Sequence, residues 1–109
     1  MIIEMRTHKL KPGWRERFLE VFRGRSMPAQ TEIGIRILGP FRSLEDPDTI
    51  FFLRGFPDLD SRTRMKDQFY EGRLWKGELE AILLPMIEKY DVVLVDDPDG
   101  EVRWPDPLH

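Results

Sequence analysis

Cysteine is missing from all 109 residues, which removes disulfides, thiolate nucleophiles and zinc–thiolate sites together. Histidine is almost missing: His8 is internal and His109 is the final residue. A catalytic zinc or iron centre wants two or three convergent imidazoles or carboxylates, so neither a metal nor a cofactor is expected. Asp96, Asp97 and Asp99 stand together, but Pro98 and Gly100 between and after them mark a turn rather than a calcium loop. Long apolar runs are lacking too, and none approaches the roughly 20 residues a membrane span requires. The opening residues show no signal-peptide pattern, so a cytoplasmic protein without a membrane span is expected. A basic surplus is also absent: 17 Lys and Arg face 20 Asp and Glu, for a net charge of −3. Nucleic-acid binders draw affinity from basic surfaces, so no nucleic-acid partner is expected. Ser26, Ser43 and Ser61 sit in no G-x-S-x-G setting, and no glycine-rich phosphate loop is present.

What is present is a regular succession of strand and helix patterns. "IIEMRTHKL" (2–10) reads as a strand with Ile3, Met5 and Thr7 on one face and Ile2, Glu4, Arg6 and His8 on the other. After the "KPG" turn, Trp14, Phe18, Val21 and Phe22 form the stripe of an amphipathic helix, which Pro28 is expected to kink or end. "IRILGPF" (35–41) reads as a second strand, and Thr49 to Leu53 as a third, fully buried one with Arg54 at its end beside Gly55 and Phe56. A second helical region opens after Pro57 with Asp58 or Asp60 as N-cap, breaks at Gly72 and resumes through Trp75, Leu79, Ile82, Leu83 and Met86. "YDVVLVDD" (90–97) is the fourth strand, and residues 98–109 form a proline- and aspartate-rich extended tail behind a single domain, 1–97.

The order β-α-β-β-α-β predicts an α+β, ferredoxin-like fold: a four-stranded antiparallel sheet with helices on one face. The second face of such a sheet should be polar if it meets water. Here Phe51 and Leu53 oppose Ile50 and Phe52, Val92 and Leu94 oppose Val93 and Val95, and Leu38 opposes Ile35 and Ile37. Both faces are therefore apolar, and monomers rarely leave such a patch open. A second copy, laid sheet against sheet, is the expected cover.

"RTHKLKPG", "GIRILGPF", "LRGFPDLDSR" and "FYEGRLWK" (within residues 5–76) resemble, in order and spacing, the NIPSNAP family. The resemblance spans about Met1 to Val95 and implies pairing of two ferredoxin-like sheets into a dimeric α/β barrel. His8 stands where the family pattern more often has tyrosine. The family supplies no reaction and no catalytic residues to carry over.

Candidate chemistry rests on few residues. A histidine ordinarily titrates near neutrality, and His8 shares a strand face with Arg6 and Glu4, so it is a candidate base or ligand. The bland alternative is a strand-end histidine bonded to backbone or water. Phe52 and Arg54 share a face of the third strand, and Tyr70 and Trp75 flank the Gly72 break. Together they suggest an aromatic-lined pocket in which Arg54, helped by Arg6 and Arg36, grips an anion. Against this, Arg54 can close its strand with a salt bridge to Asp58, Asp60 or a partner carboxylate, and Trp14, Phe69 and Trp75 can be plain core.

Two functions of different classes follow. One is a homodimeric module that binds a small hydrophobic or anionic molecule, or a protein, without turnover. The other, which the resemblance implies, is a cofactor-free monooxygenase- or isomerase-like enzyme acting on a small aromatic or anionic substrate. In it Arg54 stabilises an anion while His8 or Tyr70 moves a proton.

Overall fold

In the computed structural model, which describes residues 1–105, a β-strand leads into a long helical arm over the sheet. The chain runs β1 (Ile2–Leu10), α1 (Arg15–Val21), α2 (Met27–Ile33), β2 (Arg36–Arg42), β3 (Thr49–Phe56), α3 (Leu59–Tyr70), α4 (Glu80–Leu83) and β4 (Ile87–Asp96). All strand pairs are antiparallel and the order is β2-β3-β1-β4. This is the α+β, ferredoxin-like arrangement that the element order predicts.

Pro28 does not end the first helix. A π turn (Phe22–Ser26) precedes it, with the Met27 N–H donating to the Phe22 carbonyl. Proline lacks an N–H and crowds the carbonyl four residues back. The widened turn lets Pro28 open α2 instead, and helix continues to Gly34, whose φ of 110° closes it. A second π turn (Trp75–Leu79) precedes α4, and a 3₁₀ turn (Leu84–Met86) holding Pro85 ends the arm. β4 therefore begins at Ile87, three residues ahead of Tyr90, where the apolar run in the sequence starts. Asp58 is the N-cap of α3, accepting from the Ser61 N–H at 2.7 Å. Trp14 is not core: it sits at the N-cap of α1 and is 48% exposed, so the buried stripe starts at Phe18.

The sheet's two faces are assigned by burial and register. Leu10, Ile50, Phe52 and Phe56 face the helices and pack with Phe18, Leu19, Phe69, Leu79 and Leu83. Glu4, Arg6 and His8 share that face with Leu10, so the charged side of β1 is the buried one. The apolar side, with Ile3 and Met5, lies opposite beside Leu53, Gly55 and Val95. On this second face Phe51, Phe41 and Val93 are 38%, 51% and 58% exposed.

One end of the open face is covered by the chain itself. Asp97 turns the chain by accepting from the N–H groups of Glu101 and Val102 at 2.8 and 3.0 Å. Trp104 then lies on Gly55 so closely that a Cβ there would stand 2.5 Å from its ring. Ile3 and Leu53 are buried on this side of the sheet. No helix among the described residues is long and apolar enough to cross a membrane. His109 lies outside the described residues.

Candidate functional site

Glu4 is the hub of the charged face. It is fully buried, and its register partner on β3 is Arg54. Oε1 accepts from Arg6 Nη1 and Arg54 Nε, both at 2.9 Å. Oε2 accepts from Arg62 Nε at 2.7 Å and Lys66 Nζ at 2.9 Å, both reaching down from α3. One carboxylate thus holds four cations. Burial opposes its ionisation, but Arg54, the Lys66 hydrogen bond and Arg6 outweigh burial and hold it well below the usual carboxylate range.

Arg54 is equally buried. Its Nη1 donates to Gln30 Oε1 at 2.9 Å and to the Tyr70 hydroxyl at 2.8 Å. Gln30 Nε2 in turn donates to Ser26 Oγ at 3.0 Å. Ser26 closes the first π turn and Gln30 follows one helical turn later, so the irregular backbone around Pro28 aims both at the sheet. Arg54 Nη2 lies 2.8 Å from Glu4 Oε1, an ionic contact, yet makes no directed hydrogen bond.

His8 is 7% exposed. Its Nε2 accepts from Arg6 Nε at 3.3 Å, which leaves the ring proton on Nδ1. That Nδ1 is buried and has no partner. Burial first, then the charges of Arg6 and Arg54, lower its pKa to about 3. The imidazole is therefore neutral and lies tilted against Phe52 and Tyr90, with centroids 5.1 and 5.4 Å away.

These groups surround one cavity of about 40 Å³ between the sheet and the helical arms. Arg6, His8, Phe52, Arg54, Tyr70 and Trp75 all line it, with Phe18, Ser26 and Gln30. Tyr70 and Trp75 meet edge to face at 5.0 Å across the Gly72 break. Two wider clefts, beside Gly13 and Asp48 and between α2 and Gly72, contain no buried polar side-chain atom lacking a partner.

Several expectations need correction. Arg36 does not join the others: it pairs with Gly55 on the open face and is exposed. Arg54 does not close the strand onto Asp58 or Asp60, because its side chain points under the helices to Glu4. His8 is not an exposed strand-end histidine, and it meets Arg6 rather than a carboxylate. Phe69 is core, and Trp75 packs against the core while also lining the cavity. Glu4's role as hub, and those of Ser26, Gln30, Arg62 and Lys66, escape the sequence reading. The signal that was there is the two-residue spacing of Glu4, Arg6 and His8, and the Ser26–Gln30 spacing of one helical turn.

The arrangement favours holding a ligand over moving a proton. The one lone pair of neutral His8 faces Arg6, and Glu4 is saturated by cations, so neither is placed to accept a substrate proton.

The NIPSNAP family model matches residues 3–91. An uncharacterised NIPSNAP domain protein from Burkholderia xenovorans superposes with a TM-score of 0.80 at 18% identity, over 91% of this chain and 96% of that one. A NIPSNAP family protein from Agrobacterium tumefaciens gives 0.79 at 22% identity, over 90% and 93%. A putative antibiotic biosynthesis monooxygenase from Nitrosomonas europaea gives 0.69 at 11% identity, over 90% and 99%. At these identities the likeness is one of fold. No curated protein matches significantly. With the family match running from β1 into β4, the chain belongs to the NIPSNAP family.

Proposed function

We propose that this protein is a cytoplasmic, homodimeric binding module that takes a small molecule into the cavity between sheet and helices. The observation that carries the reading is a buried donor without a partner, His8 Nδ1, on the wall of a cavity that the Arg54 guanidinium also lines. A buried polar group left unpaired costs about 1–3 kcal/mol. Such a group at an aromatic-walled hollow beside a buried cation is what a binding site presents before its ligand arrives.

Dimerisation draws support from the open face. Phe41, Phe51 and Val93 are exposed there, and burying each such side chain stabilises by roughly 1.5–3 kcal/mol. The enzyme reading has the fold of the Nitrosomonas protein in its favour. The occupied lone pair of His8 and the saturated Glu4 weigh against it.

Native mass spectrometry of freshly purified protein, gentle and then denaturing, tests the proposal. A dimer carrying dissociable extra mass is expected. A monomer would overturn the pairing. A clean dimer that also takes up no small molecule on screening would overturn the binding reading.

A further inference from the structure

The charges around Glu4 do not balance. Arg6, Arg54, Arg62 and Lys66 all contact it, and among the described residues no other carboxylate forms an ion pair with any of the four. Arg62 and Lys66 are partly exposed, but Arg6 and Arg54 are buried with Glu4 as their one carboxylate, and a buried charge left uncompensated is costly. The polar atom left over among the cavity-lining residues is a donor: His8 Nδ1 carries the ring proton because Nε2 accepts from Arg6, and it has no partner. The Tyr70 hydroxyl accepts from Arg54 and keeps its own proton to give. A cavity offering donors beside surplus positive charge calls for an acceptor bearing negative charge.

We propose that the cavity binds a small carboxylate, with His8 Nδ1 donating to one oxygen and the Arg54 guanidinium beside it supplying the opposite charge; this rests on the cavity being a ligand site. The size agrees. A hollow of about 40 Å³ holds two to four non-hydrogen atoms at roughly 10–15 Å³ each, the volume of a carboxylate and its first carbon. The walls agree as well. Phe18, Phe52 and Trp75 offer apolar surface to a short alkyl stem, and would leave the further oxygens of a phosphate without donors. His8 here is a positioning donor, not a base.

Propionate and its neutral isostere propionamide separate the possibilities, titrated at matched ionic strength into ¹⁵N-labelled protein while the His8 ring and Arg54 side-chain signals are followed by NMR. Propionate should move both signals with millimolar affinity, and propionamide should bind at least about tenfold more weakly, as expected when a charged acceptor is lost. His8→Phe should weaken propionate by about tenfold or more while the Arg54 signal still reports the folded protein. Equal affinity for propionamide would overturn the carboxylate and leave the ligand site standing. Shifts confined to Arg62 and Lys66 would move the anion to the surface and overturn the assignment. Silence towards both probes, with no other small molecule taken up, would overturn this inference and the binding reading together.

Discussion

Arg54 and Glu4 face each other directly across β3 and β1, with Arg54 Nε donating to Glu4 Oε1 at 2.9 Å in the buried centre of the molecule. Breaking a buried ion pair by removing one partner costs about 3–5 kcal/mol, because the other charge stays behind. Glu4→Gln leaves four cations without their anion, and should lower unfolding free energy by that amount or more in urea at pH 7. Lys66→Met should cost much less, since Lys66 is partly exposed and leaves the others paired. A Glu4→Gln protein within about 1 kcal/mol of the parent would show that the hub is structurally idle.

Stability should fall with acid earlier than carboxylates alone allow. His8 is held neutral, with a folded pKa near 3 against 6.5 in the open chain. Its contribution is complete above pH 6.5 and is lost as pH falls towards 3, at up to about 1.4 kcal/mol per pH unit. Glu4, whose pKa is depressed, adds to the loss only below its unfolded value of about 4.3. Urea midpoints between pH 6.5 and 4.5 should therefore slope steeply in the parent and flatten in His8→Phe. Parallel slopes would mean that His8 is not the titrating group.

Trp104 and Gly55 make a lock that a single methyl group should open. A Cβ at position 55 would lie 2.5 Å from the Trp104 ring, far inside contact distance. Gly55→Ala should release the tail, shift tryptophan fluorescence to the red and speed tryptic cleavage after Arg103. Trp104→Ala should speed the same cleavage and, since the ring is only partly buried, cost about 0.5–3 kcal/mol. Unchanged cleavage in both would show that the tail does not depend on this contact.

Val93 lies on the open face, 58% exposed, opposite Met5. Val93→Glu should dissociate the proposed dimer by leaving a charge unpaired between two apolar sheets. Sedimentation at micromolar concentration reads the mass. A variant that sediments as the parent dimer would place the interface elsewhere.

Much of the architecture was legible because periodicity is local. Two-residue alternation marked β1, its failure marked the two-sided apolar strands, and 3.6-residue spacing marked the helical arms. Asp58, one of the two N-caps expected, follows from side-chain chemistry within a few residues. The π turns before Pro28 and in Trp75–Leu79 were not legible, since they depend on how the helix seats against the sheet. The candidate site was legible in membership: His8, Arg6, Phe52, Arg54, Tyr70 and Trp75 do meet. The exception, Arg36, shows the limit, because Arg36 and Arg54 sit on neighbouring strands but point to opposite faces.

The sequence by itself determined the element order, the family and the doubly apolar sheet, all properties of spacing along one chain. Only the tertiary structure decided that the charged face of β1 is the buried one. The sequence puts Glu4, Arg6 and His8 on one face of β1 and Ile3 and Met5 on the other without saying which is buried. Arg54 from β3 and Arg62 and Lys66 from α3 decide it, lying 50, 58 and 62 positions from Glu4. Their hydrogen bonds to one carboxylate offset its desolvation, and no local pattern can announce a compensation that comes from so far along the chain.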